Sequence, residues 1–423
     1  MDFTKLRAAA LNDGDDEEAV TVNTRALIDK VLARYSGEWT TLRELIQNAA
    51  DAQATTVTIK FETSPSFQVP TPNTTNQSAI LKHVLLNHTL KRLLATNNGQ
   101  AFGVNDWSRL KRIAEGNPDE TKIGAFGVGF YSVFADCEDP FVSSGDQAMA
   151  FYWKGNSLFT KKIQLPPSEA NPNTSFVLDY RNNTTPMPNL LSIAQFLATS
   201  LTFVALQNIE LYVDDFKIIS LKKKSAPSCD VPIARDVTTR SKEGLMKVQK
   251  LERESVQMDA TFMNVVGWKP AKPSTSKPSY DNSYGSSNDV PSLRSFFSRL
   301  TSNNSQAQQK AKALQEEKAM QEVLLEDLTA LTTTNVFLRV TTAMIKTYIQ
   351  PSFAAELERA TKKPPPKTTK LAILTSSYDE TEASAHDNLV SKNVDVFASV
   401  LPGKKPGGRV FIGFPTHQTT GAA

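Results

Sequence analysis

The sequence predicts an α+β fold, a two-layer α/β sandwich of helices on a mixed, mostly antiparallel sheet, followed by part of a second α/β domain. Three observations carry that expectation. Amphipathic helical segments crowd the stretch before residue 54. Alternating, strand-like segments fill Pro140 to Leu221 with one helical interruption, and helices on a largely antiparallel sheet pack as two layers. Composition then turns rich in Pro, Ser, Lys and Asn after Lys222.

Taken in order, Thr24 to Arg34 reads as an amphipathic helix with Leu27, Ile28, Val31 and Leu32 on one side, broken by Gly37. A second helix spans about Thr40 to Gln53, and Val57, Ile59 and Phe61 alternate as a strand. "TSPSFQVPTPNTTNQS" reads as a polar, proline-containing loop. "KRLLATNNGQAFG" is a buried strand entering a loop, and a helix is expected over Asp106 to Ala114. The glycine-rich "KIGAFGVGFYSVF" follows. "AMAFYWKG", "SFVLDY", "IELYVDD" and "KIISLKK" are strands, with a helix at Leu190 to Thr202 among them. "KPAKPSTSKPSYDNSYGSSNDVPS" has the composition of a disordered linker. Beyond it, Gln306 to Leu331 has helical period, Val336 to Ile349 looks extended, Phe353 to Ala360 helical and "TKLAILTS" a strand. "GRVFIGFP" reads as a core strand so near the end that a piece of a longer protein is expected. The organisation expected is a flexible tail at 1–20, a first domain at 21–222, connecting strands at 223–269, a disordered loop or linker at 270–304 and part of a second domain at 305–423.

With 423 residues the chain suits two or three domains. Lysine and arginine total 47 against 44 acids, a net charge of +3 that by itself does not call for nucleic acid. The lysines of "SLKKKS" read as a solvated face or linker. No apolar run approaches the roughly 20 residues of a membrane span, and the N-terminus, acidic from Asp13 to Glu18, makes a poor secretory signal. Cys137 and Cys229 give no disulfide framework. His83, His88, His386 and His417 are scattered, which favours packing or exposed roles over a metal site.

The chemistry concentrates in "RELIQNAADA". Glu44, Asn48 and Asp51 fall at i, i+4 and i+7, one helical face, yet apolar residues flank them on both sides. Such a row suits the wall of a polar pocket, where a carboxylate can act as a general base and an asparagine oxygen can ligate Mg²⁺. The competing reading is a capping box, Thr41-x-x-Glu44. "IGAFGVGF" is neither a Walker A loop nor a dinucleotide fingerprint. Gly124, Gly127 and Gly129 nevertheless suit a phosphate loop, with Lys122 just upstream to pair with a phosphate and a following helix aimed at it. As an isolated trio, a tight helix-packing turn is the simpler account. "ATNNGQAFG" ends a strand at Asn97, Asn98 and Gly99, where an asparagine can meet a base edge or simply make a turn. "NTSF" offers the Thr174 hydroxyl.

Order and spacing make the set stronger than its parts. "RELIQNAADA", "IGAFGVGFYSVF" and the strand ending "NNG" between them resemble the GHKL superfamily of gyrase, heat-shock protein 90 chaperones, histidine kinases and MutL. The "NNG-x-x-F" form and "GRVFIGFP" are most similar to sacsin-like proteins. The resemblance covers about Thr21 to Leu221. It implies a Bergerat-fold ATP-binding domain at 21–222, and a middle-like domain at 305–423. Glu44 would orient and deprotonate water, Asn48 would hold Mg²⁺, and Asp51 would line the nucleoside side. Gly124, Gly127 and Gly129 would wrap the triphosphate, with amides from Phe126 and Val128. Gly99 would sit by the adenine and Thr174 would join its hydrogen-bond network through water. Leu110 to Ile123 would form a mobile lid.

Two features depart from the family. Its adenine motif opens with an aspartate, where this sequence has Asn97 or Asn98, an uncharged acceptor and a weaker one. No residue of Lys222 to Ala423 stands out as the basic group that chaperone-type members draw from the next domain. The resemblance implies a chaperone-like protein that binds ATP and Mg²⁺ and hydrolyses slowly, with protein clients or co-chaperones, a homodimer and a cytoplasmic (or nuclear) setting in view. Membrane and nucleic acid are not expected partners. The alternative is a nucleotide-sensing scaffold that binds without useful turnover. No histidine precedes His83 to serve a histidine kinase, and a MutL-type repair protein would carry a different glycine loop.

Overall fold

The computed structural model describes residues 22–33, 38–112, 129–269, 327–361, 364–375, 394–400, 409–411 and 415–419. Helices α1 (Thr24–Leu32) and α2 (Thr40–Asp51) come first, then β1 (Thr56–Ser64), α3 (Gln77–Asn87), β2 (Thr89–Asn97) and the short α4 (Val104–Arg109). A 3₁₀ helix spans Phe130–Ala135. Strands β3 (Phe141–Gly145), β4 (Gln147–Lys154), β5 (Ser157–Gln164) and β6 (Asn171–Asp179) lead to α5 (Leu190–Phe203). After it run β7 (Asn208–Val213), β8 (Phe216–Ser225), β9 (Cys229–Val231), β10 (Met246–Met263), β11 (Leu331–Thr347), α6 (Pro351–Thr361), β12 (Thr368–Thr375) and a hairpin of β13 (Arg409–Phe411) and β14 (Pro415–Thr419).

Twelve strands make one sheet in the order β12-β11-β10-β8-β7-β1-β2-β6-β3-β4-β5, with β9 beside β10 off that path. All its pairings are antiparallel except β1 with β7, which run parallel from Thr56 opposite Asn208 to Phe61 opposite Val213. The expected α+β architecture, a mixed and mostly antiparallel sheet under helices, is what the chain adopts.

Alternation decides which face is covered. Val57, Ile59 and Phe61 of β1, Leu93 and Ala95 of β2 and Ile209, Leu211 and Val213 of β7 are all buried. They share one core with Leu42, Leu45, Ile46 and Ala49 of α2 and with Ile193, Ala194, Leu197 and Leu201 of α5. The intervening strand residues are polar and partly exposed: Lys60 pairs with Asp215, and the hydroxyls of Thr96 and Ser175 meet at 3.0 Å. The strands after residue 245 join the same sheet. β10 pairs with β8 over Val256 to Phe262 and with β11 along its whole length.

Several local expectations need correction. The loop expected up to Ser78 gives way to α3, whose N-cap Asn76 accepts from Ala79 N–H; its run "AILKHVLL" has little amphipathic period to announce a helix. The helix expected over Asp106 to Ala114 covers Val104–Arg109, and Ala114 lies outside the described residues. The helix expected from Gln306 to Leu331 lies outside them through residue 326, and Leu331 opens β11. The capping box at Thr41 is not formed. Trp39 is the N-cap, with no side-chain cap, and the Thr41 hydroxyl donates instead to the Ser132 carbonyl at 3.3 Å.

The lysines of "SLKKKS" are also not a uniform solvated face. Lys223 Nζ donates to the carbonyls of Leu201 (2.9 Å) and Val204 (2.5 Å), closing the open C-terminal end of α5. Lys224 pairs with Asp259. Burial pushes the Lys223 ammonium down to about 8, against the attraction of Glu254. The folded chain then sheds a proton that the unfolded chain keeps until its ordinary value of 10.5, so stability rises with pH across that window.

Two outcomes follow from the packing. Leu197→Ala, at a fully buried position, should cost about 2–5 kcal/mol in urea unfolding. The stability difference between wild type and Lys223→Met should shift in favour of wild type as pH is raised from 8 to 10; a flat difference would contradict the buried-ammonium account.

Candidate functional site

The site is built on α2. Leu42, Leu45, Ile46 and Ala49 are at most 4% exposed and hold the helix to the sheet. Glu44, Asn48 and Asp51 lie off that face, and each is half-buried. Neither Glu44 nor Asn48 has a side-chain hydrogen bond among the described residues.

Glu44 lies directly against Gly129. A Cβ placed on Gly129 would come 2.1 Å from Glu44 Oε2 and 3.0 Å from Cδ, so any larger residue there would push the carboxylate aside. Burial pushes the Glu44 carboxyl above its ordinary range, and the Arg43 guanidinium offsets only part of this. From Gly129 the chain enters the 3₁₀ helix: Ser132 N–H donates to the Gly129 carbonyl at 3.0 Å, and Tyr131, 2% exposed, donates its hydroxyl to the Leu110 carbonyl at 2.9 Å. Tyr131 thereby ties the chain after Gly129 to the C-terminal end of α4. Lys122, Gly124, Phe126, Gly127 and Val128 lie outside the described residues, as does the expected lid beyond Arg112.

At the other end of α2, the helix meets the end of β2. Gln53 takes a positive φ of 58°, and the Ala52 carbonyl accepts from Gln100 N–H at 2.8 Å. Gly99 passes so close that a Cβ there would stand 2.8 Å from Ala52 O. Asn98 is taken up by the main chain. Its Oδ1 accepts from Thr55 N–H (2.9 Å) and Thr56 N–H (2.8 Å), and its Nδ2 donates to Thr55 Oγ1 (2.8 Å). Asn97 is 5% exposed, and its Oδ1 accepts from Gly99 N–H at 3.0 Å.

Asn97 stands opposite Thr174, and Thr174 stands opposite Ser144 on the next strand. The three form a buried polar row across β2, β6 and β3. Ser144 Oγ and Thr174 Oγ1 lie 2.6 Å apart, and Ser144 Oγ accepts from Phe102 N–H at 2.9 Å. Sequence reasoning missed Ser144; its only signal is a hydroxyl on the inward-facing beat of "FVSSG", meaningless until β3 is known to adjoin β6. The structure thus brings Glu44 to Gly129, and Gly99 to Ala52 at the far end of the same helix, with Asn97 two residues before it and Thr174 opposite Asn97. The Asn48 oxygen, half-buried one turn from Glu44, suits a cation that takes few protein ligands and keeps its waters.

A separate cavity of about 420 Å³ lies at the N-terminal end of α2, lined by Trp39, Thr41, Leu42, Phe61, Ser132 and Asp136 among others. It shares no residue with the row at Asn97. Among the described residues no group of three or more His, Cys, Asp or Glu could hold a metal, and no helix is long and apolar enough to cross a membrane. His83 and His88 touch edge-on, and His88 Nδ1 bonds Thr63 Oγ1 at 2.7 Å.

Comparison with known proteins fits this geometry. A family profile described as "Protein of unknown function (DUF3684)" matches residues 201–423, more than half of the chain. The chain belongs to that family. Residues 21–197 of this DUF3684 member also match the Sacsin domain. Human sacsin is 30% identical over 147 residues, 34% of this chain and 3% of sacsin. "Chaperone protein HtpG" of Clostridium botulinum (strain Loch Maree / Type A3) is 24% identical over 272 residues, 62% of this chain and 39% of HtpG. The DUF3684 chain therefore spans well under half the length of these relatives. The Aquifex aeolicus MutL ATPase domain complexed with ADP matches with a TM-score of 0.25 at 12% identity, over 45% of this chain and 76% of that one. The sacsin and HtpG likenesses point to the Bergerat fold of the GHKL superfamily.

The raised Glu44 carboxyl has a consequence for stability. Between its ordinary value of 4.5 and its raised value, the unfolded chain has lost a proton that the folded chain keeps, so stability falls as pH rises through that window. Glu44→Gln removes the buried ionisation. It should raise Tm at pH 7 by a few degrees, the effect of about 1 kcal/mol, and remove that part of the pH dependence in thermal melts from pH 4 to 7.

Proposed function

We propose that residues 21–222 form the ATP-binding domain of a chaperone-like protein, that it hydrolyses ATP slowly with Mg²⁺, and that nucleotide state sets its conformation. The observation that carries this reading is the Glu44 carboxylate held against Gly129, the last glycine of "GAFGVG". A half-buried carboxylate with a raised pKa, beside a loop whose amides can cradle phosphate, is the arrangement water-activating chemistry needs.

In this reading Glu44 orients the attacking water and takes its proton. Asn48 offers its oxygen to Mg²⁺, which when bound neutralises charge on the phosphates. Asp51 lines the nucleoside side. Lys122 and the amides around Gly124, Phe126, Gly127, Val128 and Gly129 hold the triphosphate, while Asn97, Gly99 and Thr174 face the base. The lid from Leu110 to Ile123 closes over it, rooted where Tyr131 holds the Leu110 carbonyl. Catalysis is then mainly positioning and charge stabilisation. Residues 223–269 connect to a second, middle-like unit at 305–423 that reads out the nucleotide state for protein clients, in a cytoplasmic setting. The names of the relatives, Chaperone protein HtpG above all, support the chaperone-like part.

A second reading, a nucleotide-sensing scaffold without turnover, is favoured by an amide at Asn97 where the family has an acid. Glu44→Ala separates the two. For the enzyme, ATP binding persists and turnover falls roughly 10²–10⁴-fold. Binding without turnover in both proteins establishes the scaffold, and no ATP binding in either sinks both readings. Gly129→Ala should leave the fold intact, because the clash falls on the end of a side chain, yet displace the carboxylate. Steady-state turnover should then drop by roughly 10²-fold.

A further inference from the structure

We propose that the site selects a purine with a carbonyl oxygen at position 6, as in inosine or guanosine triphosphate, over adenine. The inference rests on the nucleotide reading above and concerns only the base.

The decisive feature is which way the Asn97 amide points. Gly99 N–H can only donate, and it meets Asn97 Oδ1 at 3.0 Å. A flipped amide would set N–H against N–H, so the backbone fixes the orientation. The oxygen gives one lone pair to the Asn97–Asn98–Gly99 turn, whereas Nδ2 keeps both of its protons to donate. That nitrogen has no hydrogen-bond partner among the described residues, and the residue as a whole is 5% exposed.

The turn cannot readily swing the amide round. Asn98 ties it to Thr55 and Thr56 through three hydrogen bonds, Gln100 N–H ties it to Ala52, and Gly99 is wedged against the Ala52 carbonyl. The rest of the polar row also has a proton to give. Thr174 and Ser144 share one hydrogen bond, which uses one of their two hydroxyl protons and leaves the other to donate. No carboxylate stands in this row.

An aspartate in place of Asn97 would present a charged acceptor to an exocyclic amine. Asn97 presents N–H donors. A 6-amino group brought against them would face donor with donor and leave buried polar groups unpaired. A 6-oxo group accepts from Nδ2 and satisfies both partners. Sites that hydrogen-bond a substrate group discriminate strongly against analogues that cannot answer.

The test is a comparison of ATP and ITP for binding to the full chain with Mg²⁺, by calorimetry, together with Asn97→Asp. ITP should bind wild type about tenfold more tightly than ATP, and Asn97→Asp should reverse the order. Equal binding, or a preference for ATP in wild type, overturns the inference while leaving the nucleotide reading standing. Failure of both nucleotides to bind overturns the two together. Should Asn97→Asp not fold, the wild-type ratio alone decides, with purine riboside triphosphate, which carries hydrogen at position 6, expected between ITP and ATP.

Discussion

The contact of α2 with the sheet is the constraint on which everything else depends. Leu42, Leu45, Ile46 and Ala49 press into the face made by β1, β2 and β7. Each large side chain contributes roughly 1.5–3 kcal/mol by leaving water. That apolar anchorage lets the same helix carry an acid, an amide and another acid on its remaining surface. It also sets their heights: the N-terminal half lies beside Gly129 and the C-terminal end beside Gly99. A rigid rod with glycine at both ends spaces two chemically different tasks along its length.

The carboxylate at Glu44 illustrates the tension this creates. Burial makes its ionised form costly, and the helix bears that cost because the other face is so well packed. A residue selected for stability alone would be neutral there. The end of β2 resolves the same tension differently. Buried polar groups must be bonded, and Asn98 meets that demand entirely within the fold. Asn97 meets only half of it.

Much of this was legible in the sequence. The spacing of Glu44, Asn48 and Asp51 was visible because α2 has a strong period, and the strand ending at Asn97 was visible from its alternation. What stayed hidden depended on partners distant in sequence. Thr41 looked like half of a capping box, because nothing local shows that Ser132 would take its hydroxyl. Asn97 and Asn98 were indistinguishable until Thr55 and Thr56 claimed the second. Ser144 and Lys223 gained meaning only from neighbours across the sheet and at the end of α5. Helix α3 was missed because an apolar run of that length fits either periodicity. Of the glycines in the glycine-rich loop, Gly129 is the one among the described residues.

The sheet itself carries a further consequence. β1 and β7 belong to the part that bears the candidate site, and β8 passes the ladder on to β10, β11 and β12 without a break. Two bodies joined by a loose connector can swing freely. Two bodies sharing one hydrogen-bonded ladder cannot part without tearing it, so relative motion must be taken up as torsion along the strands. Any rearrangement at the Gly129 end of α2 would then reach the far edge as a change in pitch, like a twist sent down a ribbon.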